Sequence, residues 1–206
     1  MNNVAHNRFG WLAALAMAVG MGVLASSAVG EDPAFIGSKK CKMCHNQEYK
    51  SWEETKMAKA LDVLKPNERA EKKTAAGLDP AKDYTTDEKC VKCHVVGFGK
   101  ASGYAIPAAG DAKAAKEAEK LAHVGCENCH GPGGQYEAIH KDVMTKSRPY
   151  TADEMHAAGM TKISAETCTV CHNTDSPTHD PAKPFDYEKQ KLEGVHKQFP
   201  LKFRKE

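Results

Sequence analysis

The clearest periodic pattern of apolar and polar positions runs from Gln47 to Leu64. On a 3.6-residue wheel Tyr49, Met57, Ala60 and Leu64 share one side, with Trp52 and Leu61 at its margins. This predicts one amphipathic helix over 47–64, stopped by Pro66. Residues 67–86 are rich in Lys, Ala and Asp and read as a helix followed by a loop around Leu78-Asp79-Pro80. Thr85-x-x-Glu88 and Thr151-x-x-Glu154 have the form of capping boxes. Asp111 can cap a helix over 112–123, and Gly125 can end it. Gly131-Pro132-Gly133-Gly134 forces a turn, after which Gln135 to Met144 reads as a helix carrying His140. A last helix is expected from Phe185 to about Phe199. Between these lie Gly- and Pro-containing loops, the longest over 99–110 and 173–184. The pattern predicts a mainly α domain with long irregular loops and little or no sheet.

Residues 11–25 stand apart. They are apolar and uncharged, preceded by Arg8 and followed by small residues. That is the form of a secretory signal over 1–30, cleaved near 28–30, leaving 31–206 as one domain. An uncleaved membrane anchor is the alternative, but the run is short for a spanning helix and has no stop-transfer flank. The expectation is an exported, periplasmic chain with no stable membrane insertion after cleavage.

Composition then changes the picture. From residue 31 on, Leu, Ile, Val and Phe number only 23 of 176 residues, a fraction at which a charged chain ordinarily fails to build a core. Either the chain is disordered, or something other than side chains supplies apolar surface. The formal net charge of +2 is too small to argue for a nucleic-acid partner. Lysines cluster at Lys39, Lys40 and Lys42 and in the tail from Lys197 to Lys205. They suit a solvated face or a docking patch for an acidic partner.

The cysteines supply the missing component. All eight fall in four Cys-x-x-Cys-His motifs: Cys41/Cys44/His45, Cys90/Cys93/His94, Cys126/Cys129/His130 and Cys168/Cys171/His172. In this arrangement two thiols add across the vinyl groups of a haem and the adjacent imidazole meets the iron. Two Cys₄ zinc sites would leave four histidines unexplained. Disulfides across Cys-x-x-Cys are redox devices rather than staples. Four covalently bound haem c groups, with His45, His94, His130 and His172 as proximal ligands, account for every cysteine. They also supply the absent core. The second axial ligands must come from His123, His140, His156, His179 and His196, or from methionine, and spacing does not assign them.

The chain resembles the tetrahaem cytochrome c-554 family of ammonia-oxidising bacteria. The likeness is carried by Gly37-Ser38-Lys39-Lys40-Cys41, Ser51-Trp52, Leu64-Lys65-Pro66-Asn67, Leu78 to Thr85, Cys93-His94-Val95 with Gly97-Phe98-Gly99, and Val124 through Gly133. It implies a small multihaem cytochrome c domain with three bis-histidine haems and one open iron on the second motif. By position, His140 becomes the distal ligand opposite His45, and His196, eleven residues after Phe185, the one opposite His172. The family has a histidine where this chain has Met57. Met57 therefore becomes a candidate distal ligand opposite His130, which would raise that haem's potential; the alternative is an ordinary core methionine, with His123 or His156 substituting or the site left open. The resemblance further implies an electron carrier between redox partner proteins. The family's donor is an oxidoreductase acting on hydroxylamine, and its acceptor is a membrane-linked cytochrome. The rival is reduction of nitric oxide or a related nitrogen species at the open haem on His94. Cys-x-x-Cys-Lys, used by nitrite-reducing multihaem enzymes, does not occur here.

Overall fold

Helix formation after the first motif stops one residue beyond Trp52. The computed structural model describes residues 33–205, and there the predicted 47–64 helix is three pieces. They are α2 (Asn46–Glu53), preceded by the one-turn α1 (Ser38–Cys41), and two 3₁₀ turns over Met57–Lys59 and Asp62–Leu64. The cause is competition for backbone groups. The Thr55 hydroxyl donates to Trp52 O at 2.7 Å and accepts from Ala58 N–H. Further on, Ala60 O accepts from His94 Nδ1 and Leu61 N–H donates to His123 Nδ1. Two groups that a continuous helix would use internally go to imidazoles instead.

The remaining helices are also short: α3 (Ala70–Ala75), α4 (Glu88–Val91), α5 (Ala112–Lys120), α6 (Cys126–His130), α7 (Glu137–Lys146), α8 (Ala152–Ala157), α9 (Ala165–Thr169) and α10 (Tyr187–Glu193). Thr85 does not cap α4. It folds back on Asp83, and Asp87 accepts from Lys89 N–H instead. Thr151 does cap α8, but Glu154 turns away from a reciprocal box to pair with Arg148. Asp111 accepts from Ala114 N–H at 2.9 Å, and α5 ends at Lys120, three residues before the expected end. Asp111→Ala should cost about 1 kcal/mol, read as a lower denaturation midpoint with an unchanged slope. α10 ends at Glu193, so His196 lies in an extended tail rather than on a helix.

Among the described residues strand pairing is limited to two isolated bridges, Val95 with Ala122 and Tyr150 with Arg204. The apolar core is two modest clusters. The first holds Leu64, Tyr84, Val91, Val95, Val96, Tyr104, Ala118 and Leu121 around the second motif. The second holds Tyr136, Val143, Tyr150 and Met155, with Phe203 of the tail packed against it. No helix among the described residues is long and apolar enough to cross a membrane. The expected signal segment over 1–30 lies outside the described residues.

Candidate functional site

Each Cys-x-x-Cys-His motif sits on or beside a single helical turn. α1 ends at Cys41, α4 spans Cys90, α6 spans Cys126–His130 and α9 spans Cys168. Residues three and four apart on such a turn share a face, so two thiols and an imidazole are presented together. Every cysteine is free of disulfides. Among the described residues no three His, Cys, Asp or Glu side chains gather as a bare metal ion would need. Paired thiols at four separate places, each with its own imidazole, suit a group held covalently at two points and ligated at a third. The donor set therefore fits haem c.

Cys44 departs from the equivalence that the four identical spacings imply. It is exposed, whereas Cys41, Cys90, Cys93, Cys126, Cys129, Cys168 and Cys171 are all partly buried. The reason is local. α1 closes at Cys41, and Lys42, Met43 and Cys44 follow as an exposed turn at the surface, with no neighbouring element packed over it. The turn still keeps the motif together: Cys44 N–H donates to Cys41 O at 3.2 Å and His45 N–H to the same carbonyl at 2.9 Å. Cys44 is therefore a surface thiol beside a half-buried Cys41, and the protein itself gives it no shelter.

Packing brings the four motifs together. α1 lies against α6 and α6 against α9. The neighbouring Cys41 and Cys126 thiols shift one another, Cys41 upward and Cys126 down to about 6. The second and fourth motifs meet through Cys93 and Cys171, where burial first and then Cys93 push Cys171 up to about 12. Lys92 Nζ, 3.9 Å from Asp175, spans the same junction. The third motif also meets the second, where Asn128 Nδ2 donates to Val95 O at 2.9 Å, so the third motif touches the other three.

The imidazoles are prepared for ligation by their surroundings. His94 Nδ1 lies 2.5 Å from Ala60 O and His196 Nδ1 lies 2.8 Å from Lys197 O. A nitrogen facing a carbonyl must carry the proton, which leaves Nε2 with its lone pair. Burial pushes His94 and His140 down and lowers His130 to about 4, with His196 and His45 adding to the His130 effect. These rings are neutral at ordinary pH, as a ligand must be. His123 is the opposite case. Its Nδ1 accepts from Leu61 N–H at 3.2 Å, so in the neutral ring Nε2 holds the proton and offers no lone pair.

Two pairs of imidazoles face one another. His45 and His140 have ring centroids 5.6 Å apart with planes at 83°, while His130 and His196 are 6.3 Å apart at 31°. Two imidazoles on opposite sides of one metal, each bonded at about 2 Å, would place their centroids roughly 6 Å apart. The turn after α6 makes the first pair reachable. Gly131, at φ +78°, reverses the chain where a Cβ would meet the Thr161 hydroxyl at 2.5 Å, and α7 then carries His140 back to the first motif.

The tail departs from the sequence expectation. His196 faces His130, not His172, because α10 stops at Glu193 and the tail runs back over α2, where Lys197 N–H donates to Ser51 Oγ at 2.8 Å. His172 instead stacks on Phe185, with centroids 4.4 Å apart. Met57 is held by its backbone, its carbonyl accepting from Val124 N–H, and the ring opposite His130 is that of His196. His156 Nδ1 faces Met160 O at 3.0 Å. Among the described residues no imidazole pairs with His94 as these two pairs do.

One organising residue has no counterpart in the sequence reading. Glu127, inside the third motif, is 3% exposed. Its carboxylate accepts from Ile36 N–H at 2.9 Å, Gly37 N–H at 2.7 Å and Gly133 N–H at 2.6 Å. Ser38 Oγ accepts from Cys126 N–H, and Trp52 Nε1 donates to Val124 O. The lead-in, α2 and the third motif are thereby tied together. A Glu at an unconstrained motif position carries no sequence signal of burial; only the glycines at 37 and 133, which let backbone approach it, hint at the role.

The sequence profile of the family described as cytochrome c554 and c-prime matches residues 40–131. Cytochrome c-554 of Nitrosomonas europaea is 41% identical over 151 residues, which are 70% of this chain and 60% of that protein's length. The structure of reduced cytochrome c554 from Nitrosomonas europaea superposes with a TM-score of 0.72 at 32% identity, covering 85% of this chain and 91% of that one.

Proposed function

The chain belongs to the cytochrome c554 and c-prime family, and on that premise we propose that it is an exported tetrahaem c-type cytochrome that relays electrons between redox partner proteins. The observation that carries the reading is the clustering of four Cys-x-x-Cys-His turns, the third in contact with the first, the fourth and the second. When bound, haem c supplies a one-electron ferric/ferrous couple. The residues do the rest. Cys41/Cys44, Cys90/Cys93, Cys126/Cys129 and Cys168/Cys171 would hold the four groups, and His45, His94, His130 and His172 would ligate them. The exposed Cys44 would hold the first group from a surface turn that a partner protein can approach. His140 completes the first site from α7. Contacts of α6 with α1 and α9, and of the third motif with the second through Asn128 and Val95, keep neighbouring sites close enough for hopping. The fully buried Val91 and Val95 and nearly buried Val96 exclude water beside the second motif, and burial there lowers the local dielectric and so tunes the potential. The partners fitting this role are a donor oxidoreductase and an acceptor cytochrome, and the exposed Lys39, Lys40 and Lys42 suit an acidic docking face.

The test is stoichiometric and kinetic. Intact mass should show four haems per chain, falling to three when the cysteines of any one motif become serine. The reduced protein should pass its electrons to a cytochrome acceptor in a salt-dependent reaction. A chain with fewer than four haems, or one that turns over nitric oxide with an artificial reductant faster than it exchanges electrons with proteins, would overturn the reading.

The position opposite His94 is open in this proposal. Carbon monoxide added to the ferrous protein should shift at least about one quarter of the haem absorption, one site in four. Absence of any shift would refute an open second-motif iron.

A further inference from the structure

We infer that His196, from the C-terminal tail, is the second axial ligand on the third motif, opposite His130. The inference rests on the reading of the chain as a haem carrier and assigns a ligand that neither family position nor sequence spacing supplies.

Three independent features converge. The first is geometry: the His130 and His196 rings lie 6.3 Å apart, where two imidazoles sharing one metal at about 2 Å each need roughly 6 Å. The second is the tautomer. His196 Nδ1 faces Lys197 O at 2.8 Å and so carries the proton, leaving Nε2 to bind. The third is how the tail is held. Lys197 N–H donates to Ser51 Oγ on α2. Beyond it, Tyr150 N–H donates to Phe203 O and Lys205 N–H to Tyr150 O, and Phe203 packs against the second apolar cluster. The adjacent anchor at Lys197 and those further along the tail hold the segment that carries the imidazole, which reduces the ordering entropy lost at ligation. The ring of His196 thus takes the place opposite His130 for which Met57 was the sequence candidate.

A bis-imidazole third site has spectroscopic consequences. The third haem has no Met–iron band near the red end of the ferric spectrum, and its potential stays below that of a His/Met site. The near-parallel planes of this pair, at 31°, also differ from the perpendicular His45–His140 pair at 83°. Ligand-field symmetry then separates the two low-spin signals in electron paramagnetic resonance: rhombic for the third haem, strongly anisotropic for the first.

The experiment counts carbon-monoxide-binding haems in the ferrous holoprotein. His196→Ala should add one site per chain while intact mass still shows four haems, and free imidazole should remove it. Met57→Leu should leave the count unchanged. In a chain with Cys168 and Cys171 both changed to serine, His196→Ala should still add one site, because its partner is His130 and not His172. If His196→Ala proves unstable, His196→Met should fold with a ligand retained, raise the potential of one haem and introduce the red-end band. No added site, an added site lost in the fourth-motif background, or an added site from Met57→Leu would each overturn the assignment. Fewer than four haems in the parent chain would instead strike the carrier reading.

Discussion

A chain whose eight motif cysteines are all changed to serine should fail to fold. Its far-ultraviolet circular dichroism should lose most of the helical signal, and it should be digested by protease far faster than the holoprotein. The expectation follows from the size of the structural units. Among the described residues the longest helix, α7, has 10 residues, below the roughly 12–15 at which isolated helices become even marginal in water. Each helix therefore depends on tertiary packing, and the packing available from side chains is two small clusters, one of them built on four buried residues. With 23 Leu, Ile, Val and Phe in the 176 residues from 31 on, side-chain burial cannot offset the ordering entropy of the backbone, about 1–2 kcal/mol per residue. Cofactor binding and folding are then one equilibrium. Cooperative unfolding with native-like helix content in the cysteine-free chain would show the argument to be wrong.

The second large effect is expected at Glu127. Glu127→Ala should remove about 3–5 kcal/mol, since it strands two buried N–H donors and one part-buried one at about 1–3 kcal/mol each, out of a total stability of order 5–15 kcal/mol. Glu127→Gln keeps the shape but replaces one acceptor oxygen with an NH₂ aimed at other donors, so it should lose an intermediate amount. The check is chemical denaturation of the holoprotein variants with haem content measured by mass. An Ala variant within about 0.5 kcal/mol of the parent, the ordinary range for an exposed substitution, would mean that water replaces the carboxylate. The loss should be specific in place. Glu127 joins Ile36 and Gly37 to Gly133, so loosening it should disturb the first and third sites before the second.

Some of this was open to reading in the primary structure. Two thiols and an imidazole within five residues are a local arrangement, and a single helical turn brings them together whatever the rest of the chain does. The spacing of Cys126, Cys129 and His130 therefore speaks for itself, as does the turn at Gly131, where only glycine takes φ +78° without strain. How deeply each thiol sits is another matter. Cys44 and Cys129 hold the same place in their motifs, yet Cys44 is exposed and Cys129 partly buried, because α6 packs against both α1 and α9 while the turn carrying Cys44 faces outward. The amphipathic stretch after the first motif was visible too, but its continuity was not. Periodicity reports which side of a segment is apolar. It is blind to His94 and His123, which take hydrogen bonds that residues 60 and 61 would otherwise have kept within the helix.

Sequence alone thus determined the class of the fold, the four attachment motifs and the need for a core built from something besides aliphatic side chains, because each depends on composition or on neighbours along the chain. Tertiary structure alone decided which imidazole crosses to which motif. His130 and His196 are brought together by where α10 stops, by a single hydrogen bond from the tail to Ser51 and by the seating of Phe203. None of those has a local signature, since a contact between residues 66 positions apart depends on the path of everything between them.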